Sequence, residues 1–167
     1  MITKSKAINE YSFSYKGLFK LSEIYQIMDT FFIERDYDKD DDKHQVIDGK
    51  NGRVFEIETY YKKQYNDTEY FIMEFTITAT NIKTVKKVVH GVEQEFQDGN
   101  IEIVYNGWIY DESESWREDT WKVLINYIAT FHIFKHHLDK FKADAKHDSE
   151  QIYQLILDYF NAKKILR

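Results

Sequence analysis

The side chains of this chain that could do chemistry are acidic residues and histidines, and the first group is a run of aspartates. Asp38, Asp40 and Asp42 have the spacing that opens a calcium-binding EF-hand loop. Such a loop also needs a glycine at its sixth position and a glutamate at its twelfth, where this chain has Lys43 and Gly49. The motif is incomplete, and we interpret the run as part of a solvated acidic loop.

A second group consists of His132 and His136, which are four residues apart and would share one face of a helix. Two histidines at this spacing can bind a metal. The apolar positions of the same predicted helix, however, place both histidines on its solvent side. An exposed pair lacks the further ligands and the enclosing shell of a working metal site. We therefore expect no metal and no cofactor.

The third group is a set of glutamates in the middle of the chain. Glu56 and Glu58 would share a strand face, and Glu74 or Glu102 could lie across from them. General acid–base catalysis needs one carboxyl removed from water so that its pKa rises, which a polar sheet face does not provide. The chain contains no Gly-x-Ser-x-Gly, no His-Glu-x-x-His, no phosphate-binding glycine loop and no cysteine. We expect no catalytic residues.

Length and composition narrow the class of protein further. The 167 residues, of which 43% are hydrophobic, suit a single domain over residues 1–167. A formal net charge of -6 argues against nucleic acid as a partner, because phosphates would be repelled. The most apolar window, residues 123–134, is shorter than the roughly 20 residues of a membrane span. We predict a cytoplasmic protein without membrane insertion.

Hydrophobic periodicity predicts the elements that would position these side chains. Helical spacing over residues 18–33 predicts a first helix, and residues 34–52 are interpreted as a polar loop. Alternation of period two predicts a series of strands joined by short turns, which must therefore be antiparallel. The predicted strands are residues 11–15, 53–63, 69–80, 83–89, 92–96 and 100–111, with turns at His90-Gly91 and Asp98-Gly99 among them.

The last third of the chain has the signals of two helices. Ser115 and Glu118 form a capping box that opens a long helix, and Asp148 is placed to cap a final one. The long helix carries an apolar seam at 3-4 spacing, formed by Leu124, Tyr127, Phe131, Phe134, Leu138 and Phe141. The sequence thus predicts an α+β fold: a curved antiparallel sheet of about five to six strands, with one N-terminal helix and two C-terminal helices packed on it.

Two resemblances accompany this prediction. The element order is similar to that of helix-grip (START-like) ligand-binding domains, although no residue motif supports that likeness. The segments Tyr15-Lys16-Gly17-Leu18-Phe19, Glu23-Ile24-Tyr25, Gly99-Asn100-Ile101-Glu102-Ile103 and Tyr110-Asp111-Glu112 resemble a family of small uncharacterised archaeal proteins. That resemblance implies a cytoplasmic archaeal protein and carries no activity.

Two functional hypotheses follow. The first is a non-catalytic structural or protein-interaction module that associates with itself through Tyr60, Trp108 and Tyr110, which alternate opposite the apolar strand faces. If a helix covered that face as well, these three rings would instead form a second core layer. The alternative is a START-like carrier of a small apolar molecule or lipid, with a pocket between the sheet and the long helix. The pocket residues would be Phe71, Met73, Phe75 and Phe131.

Overall fold

The computed structural model describes residues 3–50, 52–111 and 135–165. Their elements, in chain order, are β1 (Thr3–Phe19), α1 (Leu21–Ile33), β2 (Asp38–Gly49), β3 (Gly52–Gln64), β4 (Glu69–Val89), β5 (Val92–Asp111) and α2 (Lys135–Lys164). The predicted α+β class is confirmed. Neither described helix contains a stretch long and apolar enough to cross a membrane.

The five strands of the described residues form one open sheet in the order β1-β5-β4-β3-β2, and every neighbouring pair is antiparallel. Successive side chains of a strand point to opposite faces. In the first half of β4 the odd-numbered residues from Phe71 to Ala79 are buried, while the even-numbered ones are half-buried or exposed. We call the side of the buried residues the inner face and the opposite side the outer face.

Both described helices pack on the inner face, where aromatic rings fill the space between them and the sheet. In α1, Phe32 stacks on Tyr61 of β3 with ring centroids 4.1 Å apart. In α2, Phe160 lies 4.6 Å from the ring of Tyr15 in β1. Most of the buried apolar residues of the sheet and of both helices belong to one cluster.

The prediction of a loop over residues 34–52 is wrong for the central part of that segment. Residues Asp38–Gly49 form the edge strand β2, which pairs with β3 from Asp38 opposite Lys62 to Gly49 opposite Gly52. Val46 and Ile47 of β2 are 57% and 44% exposed. An edge strand that buries neither face needs no alternation of apolar residues, so the periodicity could not reveal it.

The turn predicted at Asp98-Gly99 and the separation of residues 69–80 from 83–89 are also wrong. Strands β4 and β5 are continuous, and an irregularity in register between Thr80 and Lys83 contains Asn81 with φ 58°. Gly99 serves close packing, because a Cβ there would lie 2.6 Å from Ile82 Cδ1. The predicted turn at His90-Gly91 is confirmed, with φ of 50° and 80°, as a two-residue hairpin requires.

The predicted helix arrangement needs correction as well. Helix α1 follows strand β1, as the order of the predicted strand and helix implied, so it is not an N-terminal helix; it begins at Leu21 because β1 extends to Phe19. The described C-terminal residues form one helix, α2, and Asp148 lies within it instead of capping a new one. The capping box of Ser115 and Glu118 and the seam from Leu124 to Phe134 lie outside the described residues.

Candidate functional site

Two of the residues predicted for interaction, Trp108 and Tyr110, lie together on the outer face. They are two positions apart on β5, where Trp108 pairs with Ile72 and Tyr110 with Tyr70 of β4. The rings of Tyr70 and Tyr110 stack with centroids 5.1 Å apart and planes 5° from parallel. All four side chains are half-buried. Tyr70 and Ile72 were not predicted from the sequence as interaction residues. Their even numbers in β4 nevertheless place them on the face opposite to that of Phe71 and Met73.

Lysines surround these rings. The Nζ of Lys4 in β1 lies 4.0 Å from the Trp108 ring centroid and 5.2 Å from that of Tyr110. Lys62 of β3 lies 4.1 Å from the Tyr70 ring, and Lys6 lies 5.6 Å from Trp108. Each ammonium faces the negative side of an aromatic ring. We call this group the aromatic end of the outer face; it consists of Lys4, Lys6, Lys62, Tyr70, Ile72, Trp108 and Tyr110.

The third predicted residue, Tyr60, lies two strands away from Trp108, and Glu74 lies on the strand between them. Tyr60 is the partner of Glu74 in the pairing of β3 with β4. The Trp108 indole N–H donates a hydrogen bond of 2.7 Å to Glu74 Oε2, and Lys4 forms an ion pair of 3.8 Å with Glu74 Oε1. Asn106 pairs with Glu74 from the other side. We call Tyr60, Glu74 and Asn106 the middle row.

Beyond the middle row the outer face changes character. Glu58 pairs with Thr76, and Val104 pairs with Thr76 and with Ser12. One step further, Glu56, Thr78, Glu102 and Ser14 follow one another across four strands. Glu58 also forms an exposed ion pair of 3.4 Å with Lys43 on β2. We call this group the acidic end; it consists of Ser12, Ser14, Glu56, Glu58, Thr76, Thr78, Glu102 and Val104.

The three described residues of the alternative pocket lie in the core. Phe71 and Met73 are 0% exposed and Phe75 is 1% exposed. The Phe71 ring lies 6.2 Å from that of Phe141 in α2, and the Phe75 ring lies 5.6 Å from that of Phe32 in α1. Phe131 lies outside the described residues. Phe71 and Phe75 therefore contact the two described helices from the inner face.

Among the chemistry-bearing groups considered from the sequence, the glutamates share the outer face, with Glu102 in the same row as Glu56 and Glu74 in the middle row. Asp38 and Asp40 lie on strand β2, Glu56 and Glu58 lie on the acidic end, and His132 is not among the described residues. Within residues 3–50, 52–111 and 135–165, no group of three histidine or acidic side chains could hold a metal ion.

A groove of about 570 Å³ runs between α1 and α2, with an apolar floor that includes Ile27, Phe31 and Leu155. At one end of the groove, the Glu23 carboxylate forms an ion pair of 2.7 Å with the Nζ of Lys163 at the end of α2. Burial by itself raises the pKa of Glu23, but hydrogen bonds from Lys163 and Tyr159 and the nearby charges outweigh it. The pKa of Glu23 therefore lies below its ordinary value of 4.5.

We expect the Glu23 carboxylate to make the free energy of unfolding depend on pH in the acidic range. Because the pKa of Glu23 is lower in the folded chain than in the unfolded chain, its contribution is complete above about pH 4.5 and disappears as the pH falls through the folded value. Urea unfolding of wild type and Glu23→Gln should show wild type more stable at pH 7 and the difference shrinking by pH 3. The control is Glu150→Gln, whose contact with Lys146 is exposed. A difference that does not change with pH would contradict the argument.

Comparisons with known proteins found no relative of this chain: no family model, curated protein or solved structure matches it. The resemblances to an archaeal family and to helix-grip domains stay predictions from the sequence.

Proposed function

We propose that the protein is a non-catalytic interaction module that associates with itself through the outer face of its sheet. The observation that supports this most directly is the aromatic end, where Trp108, Tyr110 and Tyr70 lie half-buried beside three lysines. Trp, Tyr and apolar side chains with a polar rim are typical of the centres of protein interfaces.

The size of the face is sufficient for a stable dimer. From the aromatic end to the acidic end it extends over five rows of side chains on strands β3, β4, β5 and β1. With strands about 4.8 Å apart and rows about 6.8 Å apart, this corresponds to about 600 Å² per copy. Two copies would bury about 1,200 Å², the lower end of specific protein interfaces.

Replacing the central tryptophan tests the proposal. Native mass spectrometry and light scattering should find wild type as a dimer, and Trp108→Lys should raise the dimer dissociation constant at least about a hundredfold, because a twofold interface loses the residue twice. Lysine can still pair with Glu74, so the circular dichroism spectrum should be unchanged.

The matched control is Val88→Lys, at a position of the β4–β5 hairpin that is 71% exposed and far from the aromatic end. This variant should stay dimeric. Wild type that is monomeric at high concentration would refute the proposal. A monomer that carries an extra mass of a few hundred daltons would support the carrier alternative instead.

A further inference from the structure

We infer that the second copy lies face to face with the first and reversed along the strands, so that the aromatic end of each copy covers the acidic end of the other. This inference rests on the proposed self-association and adds the orientation and the pairs of residues that meet. It is carried by the unequal distribution of charge along the outer face.

On the four strands from β3 to β1, six of the charges in the five rows lie on either side of the middle row. Glu74 lies within the middle row, where Lys4 and the Trp108 indole N–H pair with its carboxylate, and Lys16 lies one row beyond the acidic end. The three lysines, Lys4, Lys6 and Lys62, belong to the aromatic end, and three glutamates, Glu56, Glu58 and Glu102, belong to the acidic end. A surface whose two halves carry opposite charge is complementary to its own reversed copy. The fit requires a twofold axis that runs across the strands through the middle row.

This axis brings each strand opposite the same strand of the second copy, since the rotation reverses position along the strands and leaves position across them unchanged. On β3, Lys62 then meets the partner's Glu58. On β5, Trp108 meets the partner's Val104, which gives the largest ring of the aromatic end an apolar contact. Each of these two pairings occurs twice, as in every interface with twofold symmetry. Residues of the middle row meet their own copies, and each Glu74 enters that contact already paired with Lys4 and with the Trp108 indole N–H.

The other face-to-face arrangement has its twofold axis along the strands and is disfavoured by the same charges. That axis keeps each row opposite the same row and exchanges β3 with β1. Lys62 would then meet the partner's Lys6, and the acidic ends would meet each other. Like charges placed opposite one another weaken an interface.

Charge reversal on β3 tests the inferred pairs. Lys62→Glu and Glu58→Lys should each weaken the dimer about tenfold, because each places two like-charged pairs in the interface. The double variant restores opposite charges and should return to within about threefold of wild type. Additive weakening in the double variant would overturn the orientation. Glu93→Lys, on the exposed side of the β4–β5 hairpin, is the matched control and should have no effect.

Cross-linking gives an independent measurement, because the chain contains no cysteine and an introduced thiol is unique. With a short bis-maleimide, Tyr60→Cys in the middle row should cross-link to itself. Gln64→Cys and Glu56→Cys, which lie four residues after and four residues before Tyr60 on β3, should not cross-link alone but should do so when mixed. A dimeric protein in which Gln64→Cys and Glu56→Cys do not cross-link would overturn the orientation and leave self-association standing. A monomeric wild type would overturn both.

Discussion

Replacing Phe160 with alanine should lower the free energy of unfolding by about 4 kcal/mol, because it opens a cavity in the centre of the core. Phe160 is 0% exposed and contacts three aromatic rings of β1 from α2. Its ring centroid lies 4.9 Å from that of Phe13, 4.6 Å from Tyr15 and 6.5 Å from Phe19.

Guanidinium unfolding followed by fluorescence measures this loss of free energy. The slope of the unfolding free energy against denaturant concentration is compared between the variants. The control is Leu155→Ala on the same helix, where the side chain is 43% exposed and the loss should stay below about 1 kcal/mol. Equal losses at the two positions would show that α2 does not depend on its aromatic anchor.

The second large effect is expected at Asp148, whose carboxylate connects the middle of α2 to the segment after α1. It accepts a 2.9 Å hydrogen bond from the Tyr37 hydroxyl and lies 3.4 Å from Arg35 Nε. Burial and the Asp148 charge raise the pKa of Tyr37, so the phenol remains a donor. Asp148→Ala leaves that buried hydroxyl without its acceptor and should cost about 2–3 kcal/mol.

Tyr37→Phe removes the donor instead of the acceptor and completes a double-mutant cycle. Because each variant breaks the same hydrogen bond, the two losses should sum to about 1 kcal/mol more than the loss in the double variant. Asp144→Ala, at an exposed position of the same helix, is the control for changes in helix propensity. Full additivity would mean that the hydrogen bond contributes nothing to stability.

The parts of the fold that were predicted correctly are those in which one face of an element is buried. In β3, the alternation of Ile57, Thr59 and Tyr61 with polar residues marks the inner face, and all three are buried. The same alternation placed Tyr60, Trp108 and Tyr110 on the opposite face. In α1, Ile24 and Met28 recur at helical spacing and are 1% and 0% exposed. A local period is enough where water lies on one side and the core on the other.

The wrong predictions come from residues whose role depends on a distant neighbour. Asp148 has the local signature of a helix cap, but a helix can continue through it because its carboxylate is satisfied by Tyr37, 111 positions away. Asp98-Gly99 has the signature of a turn, but the glycine is needed because a Cβ there would lie 2.8 Å from the backbone oxygen of Thr80 on the neighbouring strand. Strand β2 is held by its pairing with β3 rather than by its own composition.

The candidate site divides in the same way. The sequence by itself determined which side chains point away from the core, because the strand period is local and follows from the backbone geometry. Only the tertiary structure decided which of them are neighbours. The register of β1 against β5 places Lys4 over Trp108, and the register of β4 against β5 stacks Tyr70 on Tyr110. Register is set by the simultaneous packing of all five strands and both helices, and no single segment contains that information.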